Sequence, residues 1–286
     1  MKKLKYALIV SDFDGTLVNS DGTIIGEENK RAIDEYVKNG GIFAISTGRM
    51  PSGILPRVKE LGLKGYVCAF EGSVVMDIES EKIIVDGKLS THIGVQVLKK
   101  MEELELHIHV YDLWDYYCNM DDEPLHAYEQ VLQKKAKLVT DKPLSEYIQE
   151  NNIIPYKILA IVEPCDAERV IQILEKEQFI GCCVTKSGST LVEVVNSDYS
   201  KGTALTYLAE TNGVSIEKTI AVGDQKNDLP MLELAGLGIA VQNAAKEIKD
   251  KVVVCAYTNE QGAIAKIIET YAYEGICKDV KGSGTL

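Results

Sequence analysis

The chain has 286 residues, of which 45% are hydrophobic and 26% charged, as expected of a globular protein with one large or two ordinary cores. Its formal net charge of -12 argues against nucleic acid or an anionic membrane as partner, because both would repel the average surface. Seven Cys occur without a Cys-x-x-Cys motif and with few His beside them, so neither a zinc site nor a disulfide framework is signalled.

Met1-Lys2-Lys3-Leu4-Lys5 resembles the charged start of a signal peptide, but the apolar run that follows, Tyr6-Ala7-Leu8-Ile9-Val10, is too short for one and runs into Asp12. That run suits a strand buried on both faces. From Glu28 to Asn39, Ala32, Ile33, Tyr36 and Val37 recur at helical spacing, and Gly40-Gly41 end the helix. Ile42-Phe43-Ala44-Ile45 is a second buried strand, leading into Ser46-Thr47-Gly48-Arg49 and a helix that starts near Pro51. A third, Tyr66-Val67-Cys68-Ala69-Phe70, leads into Glu71-Gly72-Ser73. Strand, helix, strand at these spacings predicts a parallel sheet with helical crossovers.

Between about Ile83 and Val192 the style changes. Helical stretches (94–105, 123–137, 166–177) mix with isolated strands (106–111, 156–162). Trp114, Tyr116 and Tyr117 read first as core packing and second as sugar contacts, and Cys182-Cys183 as core fillers. From Leu191 to Val195 onward the first style returns, with strands at Thr219-Ile220-Ala221-Val222, Gly238-Ile239-Ala240-Val241 and Val252-Val253-Val254-Cys255, then a helix from about Gly262 to Tyr271. The Gly/Ser-rich tail from Lys278 to Leu286 is expected to be mobile. The expected fold class is therefore α/β: a doubly wound, Rossmann-like parallel-sheet core of residues 1–82 and 193–286, with an α+β domain of residues 83–192 inserted in it. No later segment has the length of a membrane-spanning helix, and the chain reads as soluble and cytoplasmic with reduced thiols.

In an open parallel sheet, ligands bind outside the carboxyl ends of the strands. Asp12 and Asp14, then Thr47, then Lys201, then Asp224 with Asn227 and Asp228, all fall at such ends. Gly15 lets the chain turn sharply beside a ligand. Two like charges about 4 Å apart repel by about 4 kcal/mol at an effective dielectric near 20. A pocket gathering Asp12, Asp14, Asp224 and Asp228 therefore needs a cation or must hold protons, and its oxygen donors suit Mg²⁺ rather than zinc. Lys201 supplies a further positive charge and opens an amphipathic helix carrying Ala204, Leu205 and Leu208. Thr47 has two readings: its hydroxyl and the N–H groups of the junction form an anion pocket, or it caps the next helix. Asp228 is placed to cap the helix 229–235, whereas Asp224 has no such structural alternative.

In this order, Asp12-Phe13-Asp14-Gly15-Thr16, the Thr of Ser46-Thr47-Gly48-Arg49, the Lys of Tyr199-Ser200-Lys201-Gly202 and Gly223-Asp224-x-x-Asn227-Asp228 resemble the haloacid dehalogenase (HAD) superfamily of phosphotransferases. The insertion looks like the type IIB cap of the Cof-like sugar-phosphate phosphatases, and the stretches 238–244 and 259–263 also fit that subfamily. The chain departs from it in Phe13 for the commoner Leu, Glu71-Gly72 for Asn-Gly, and Gln225-Lys226 for small residues.

The resemblance implies a Mg²⁺-dependent phosphatase. Asp12 would be the nucleophile and Asp14 the general acid and base. Asp12, the Asp14 backbone carbonyl and Asp224 would hold Mg²⁺, with Asn227 and Asp228 in support. Thr47 and Lys201 would hold the phosphoryl oxygens, with Gly15, Gly48 and Asn227 beside them. The inserted domain would close over the site and select the leaving group. The implied partner is a small-molecule phosphate ester, with no nucleic acid and no membrane, for a monomer or small homo-oligomer. Two rivals stand beside this reading. A hexose phosphomutase of the same superfamily must also grip a second phosphate, yet the insertion offers one Arg, Arg169. A phospho-Asp signalling receiver module needs neither a base two residues after the nucleophile nor a large inserted domain.

Overall fold

The computed structural model describes residues 2–19 and 25–275; the tail expected to be mobile lies outside them. The strands, in chain order, are β1 (Leu8–Asp12), β2 (Ile42–Ser46), β3 (Tyr66–Ala69), β4 (Val74–Asp77), β5 (Ile83–Asp86), β6 (His107–Tyr111) and β7 (Tyr116–Cys118). They continue as β8 (Lys137–Leu138), β9 (Lys157–Ile161), β10 (Cys182–Ser187), β11 (Leu191–Asn196), β12 (Thr219–Gly223), β13 (Leu237–Ala240) and β14 (Val253–Val254). Two compact units emerge. One comprises the chain up to Thr47, Leu61–Cys68 and the chain from Lys201 onward; the other comprises Gly48–Glu60 and Ala69–Ser200. These divisions differ from the sequence boundaries at 82/83 and 192/193.

In the first unit the strands run parallel in the order β14-β13-β12-β1-β2-β3. Every residue of β1 is buried, which is why Leu8, Ile9 and Val10 read as one apolar run rather than an alternation. Ser11 lies opposite Val222 and Asp12 opposite Ser46, so β1, β2 and β12 end at one edge with Asp12, Ser46 and Gly223. The helix Glu27–Lys38 buries Ile33 and Tyr36 and stops before Gly40, whose φ of +93° an L side chain would resist.

The second unit holds the β4–β5 hairpin and a six-stranded sheet in the order β10-β11-β9-β6-β7-β8, antiparallel except for the β7–β8 pair. Here the structure corrects one expectation. Leu191–Asn196 does not return to the parallel sheet; it pairs with β9 and β10. A run such as Leu191-Val192 followed by Val194-Val195 suits either sheet, and only its partners decide. The strand period of two explains the two faces. Ile108, Val110, Ile158, Ala160, Val192 and Val194 join helices Thr91–Glu103, Leu144–Glu150 and Ala167–Lys176 in one apolar core. The intervening positions carry His107, His109, Tyr111, Lys157 and Glu193, also buried. Tyr116 and Tyr117 are buried as well, consistent with packing, whereas Trp114 is 40% exposed. Cys182 and Cys183 are half-buried, and Cys182 packs on the apolar core.

The helix expected over 123–137 ends at Leu132, because Gln133 adopts φ +53° and the chain folds back until the Ala136 N–H donates to Glu129 at 2.9 Å. Leu144–Glu150 was not foreseen: its inward pair, Leu144 and Ile148, is too short a repeat to register as a helix. Phe70 leaves the expected third strand, entering a turn with φ +47° beside Glu71 at +57°.

Candidate active site

The candidate site lies at the carboxyl edge of the first unit's parallel sheet. Just past β1, Asp14 keeps an extended ψ of 120° and Gly15 takes φ +79°, so the chain turns at once rather than winding into a helix. A Cβ on Gly15 would come within 2.9 Å of Asp224 Oδ2, so the turn needs glycine for its conformation and for its clearance. Asn243 Nδ2 holds the turn by donating to the Gly15 carbonyl at 2.7 Å, and the buried Thr16 hydroxyl donates to Asp224 Oδ1 at 2.7 Å.

The loop after β12 is shaped by Asp228. Its Oδ2 accepts the backbone N–H groups of Asp224 and Gln225, each at 2.9 Å. The side chain therefore folds back on its own turn and makes no capping bond to the helix Leu229–Leu234, which corrects that expectation. Gly223 is required beneath it, since a Cβ there would lie 2.5 Å from Asp228 Cβ. Gln225 Nε2 donates to Asp224 Oδ2 at 3.0 Å, so this departure from small residues takes part in the loop.

Lys201 opens the helix Lys201–Thr211 and is 1% exposed. Its ammonium donates to Asp12 Oδ1 and to Asp228 Oδ1, both at 2.6 Å. The helix reaches this position because Gly202 packs against Pro230, where a Cβ would meet the carbonyl oxygen at 2.7 Å. The pairing of Lys201 with Asp228 was missed by sequence reasoning, as were the bonds from Thr16 and Asn243. Thr16 and Asn243 lie in stretches 12–16 and 238–244, but only the folded turn shows what they hold.

Carboxylate oxygens of Asp12, Asp224 and Asp228 lie within 4.8 Å of one another, and all three residues are buried. Burial raises the Asp12 carboxyl well above its ordinary range; Lys201 opposes this, while Asp228 and Asp224 add to it. Asp224 is raised for the same first reason, against the Thr16 hydrogen bond and with the Asp228 charge. Hard oxygen donors and crowded negative charge fit a divalent cation, which relieves both the repulsion and the burial of the ions.

The remaining expected residues fall as follows. Thr47 is buried one step past the Asp12–Ser46 register, at the same edge. Its own N–H donates to the Cys68 carbonyl at 2.8 Å, so it is committed to the sheet and not offered to an anion. The next helix starts at Pro51, too far along for Thr47 to cap. Asp14 is half-buried in the turn, and Asn227 is exposed in the turn Lys226–Asp228. Gly48 belongs to the second unit, where a Cβ would meet Glu71 Oε1 at 2.3 Å. Glu71, the departure from Asn, thus lies directly against Gly48.

A parallel sheet with Asp12, Lys201, Asp224 and Asp228 joined at its carboxyl edge defines a hydrolase of the HAD type. The model of the haloacid dehalogenase-like hydrolases matches residues 9–268, and the chain belongs to that family. It is 31% identical over 273 residues to a Haemophilus influenzae protein named "Putative phosphatase", covering 93% of this chain and 98% of that one. It is 29% identical to the Bacillus subtilis 5-amino-6-(5-phospho-D-ribitylamino)uracil phosphatase YwtE, covering 91% and 96%. The solved structure of TM0651 from Thermotoga maritima superposes with a TM-score of 0.82 at 26% identity, over 92% of this chain and 97% of that one. A haloacid dehalogenase-like hydrolase from Bacteroides thetaiotaomicron gives 0.80 at 27%, over 92% and 98%. The protein is an enzyme, an HAD-type phosphatase with an α/β fold. Among the described residues no helix is long and apolar enough to cross a membrane.

Proposed function

We propose that the protein is a Mg²⁺-dependent phosphatase of small phosphate monoesters, working through an aspartyl phosphate on Asp12. The observation that carries this reading is the Lys201 ammonium 2.6 Å from Asp12, in a buried pocket shared with Asp224 and Asp228. An anionic nucleophile approaches an anionic phosphate only when cations offset the repulsion.

Asp12 attacks phosphorus in line while the ester oxygen leaves. Asp14 gives that oxygen a proton, then takes one from the water that cleaves the acyl phosphate. Asp12, Asp224 and the Asp14 carbonyl would hold Mg²⁺, with Asn227 and Asp228 in support, and the ion would supply charge neutralisation. Lys201 and the Thr47 hydroxyl hold the phosphoryl oxygens, with Gly15 and Asn227 alongside. In this reading the first unit is the catalytic core and the inserted α+β domain, which takes in Leu191–Asn196, is a cap that selects the leaving group, in a cytoplasmic monomer or small homo-oligomer. The phosphoribityl compound in the name of one relative favours sugar or polyol phosphates as the substrate class. The phosphatase names of the relatives weigh against a mutase, and Asp14 weighs against a receiver.

The test is phosphate release from a panel of sugar, polyol and nucleotide phosphates with Mg²⁺, by wild type and by Asp12→Asn. A folded but inactive variant is expected. Full activity in Asp12→Asn overturns the mechanism.

A further inference from the structure

The second unit carries a cluster that phosphate chemistry does not use. Three of its side chains, His107, His109 and Cys118, each bring one donor atom within 4.8 Å of the others, all buried. The register builds the cluster. His107 and His109 are two apart on β6, and Cys118 on β7 lies directly opposite His109, so the three project from one face of an antiparallel pair.

We propose that His107, His109 and Cys118 form a site for a thiophilic transition-metal ion of the zinc class, separate from the aspartate pocket. Two imidazoles and a thiolate are the donors such ions prefer, and hard cations such as Mg²⁺ do not. The surroundings are those of a metal-binding histidine. His107 Nδ1 lies 2.9 Å from Asp122 Oδ2, which fixes the tautomer with the Nε2 lone pair turned inward, toward His109 Nε2 at 2.8 Å and Cys118 Sγ at 3.3 Å. His109 Nδ1 faces the Tyr111 hydroxyl at 3.4 Å, leaving its Nε2 toward the same point.

Bonds of about 2.0–2.1 Å to nitrogen and about 2.3 Å to sulfur set tetrahedral donors about 3.3–3.6 Å apart, so the imidazoles need to part by about half an ångström and Cys118, within 4.8 Å of His109, to close on it by about an ångström at most. Charge also balances: a divalent ion is offset by the Cys118 thiolate and the Asp122 carboxylate. On binding, the thiol proton goes to solvent and the His109 proton moves from Nε2 to Nδ1, which faces the Tyr111 hydroxyl, so both imidazoles stay neutral. Without metal, the same atoms form a hydrogen-bonded chain from Asp122 through His107 to His109, so the unit has a satisfied apo state. The composition gave no hint of this site, because the donors come from two strands and follow no Cys-x-x-Cys spacing.

The experiment uses the full chain, refolded with Co²⁺ or Zn²⁺ and passed through gel filtration in excess Mg²⁺, which competes for the aspartate pocket. Wild type is expected to retain about one equivalent of zinc and, with Co²⁺, to show a near-ultraviolet thiolate-to-cobalt absorption that oxygen donors cannot produce. Cys118→Ser is expected to lose that absorption. Asp122→Asn, which preserves a capping group for the helix Glu123–Leu132, is expected to bind zinc about 10–100-fold more weakly. Wild type without the thiolate band, or zinc affinity unchanged in both variants, overturns the proposal and leaves a hydrogen-bonded core cluster. If Cys118→Ser fails to fold, the wild-type cobalt spectrum and Asp122→Asn decide the matter alone.

Discussion

The Lys201 ammonium lies 2.6 Å from Asp12 Oδ1, across 189 positions of sequence and at 1% exposure. It is held at the same distance from Asp228 Oδ1, so one buried cation serves the proposed nucleophile and the carboxylate that shapes the second acidic loop. Lys201→Met keeps the length of the stem and removes the charge. Breaking a buried pair typically costs about 3–5 kcal/mol, because the partner charges stay behind. Here protonation of Asp12 limits the loss at low pH. Asp12 and Asp224, raised in the folded state, bind protons that the unfolded chain has already released, so stability falls as pH rises from about 4 to their raised folded values, then levels off. Urea titrations of wild type and Lys201→Met across that window should show the deficit growing with pH, and turnover of the variant should drop at least about 100-fold.

Gly15 meets two constraints at one position, a φ of +79° and a Cβ site 2.9 Å from Asp224 Oδ2. Gly15→Ala strains the turn by about 1–2 kcal/mol and pushes on Asp224. Phosphatase assays over a Mg²⁺ series should show a higher Mg²⁺ requirement along with a modest loss of Tm. An unchanged requirement would mean the turn can shift without moving the carboxylate.

What the sequence discloses depends on whether a group's neighbours are local. Asp12 and Asp224 are legible because each follows a run that is buried throughout and so must be a central strand, whose carboxyl end is where ligands bind. Asp228 is only half legible because its direction depends on a turn: the same residue that could point forward to cap the next helix bends back to two N–H groups. Leu191–Asn196 is placed in the wrong sheet because an apolar run does not name its partners. His107, His109 and Cys118 stay hidden for a related reason, since alternation puts the two histidines on one face but only the β6–β7 register adds the cysteine.

Asp228→Ala separates loop structure from chemistry. It removes the acceptor for the buried Asp224 N–H and the part-buried Gln225 N–H, and a buried donor left unpaired costs about 1–3 kcal/mol. Asp228→Asn retains an oxygen for those donors but not the charge facing Lys201. Thermal melts should therefore rank wild type, then Asn, then Ala. Both variants should lose activity, Ala the more, because Asp224 is set by the loop as well as by Thr16. Equal stability of Asn and Ala would remove the loop-shaping role.

Metal removal and acid should act through the same carboxylate. Burial first, then the charges of Asp228 and Asp224, hold the Asp12 carboxyl well above its usual range despite Lys201, so the apo pocket keeps a proton at Asp12 to higher pH than an exposed aspartate would. A cation seated against Asp12 must displace that proton. Mg²⁺ affinity should therefore weaken as pH falls through the raised value, with protons released on binding. Calorimetry in two buffers of different ionisation enthalpy reads that release directly. Chelation should abolish turnover, and added Mg²⁺ should restore it. Binding without proton release across the acid limb would place the ion away from Asp12.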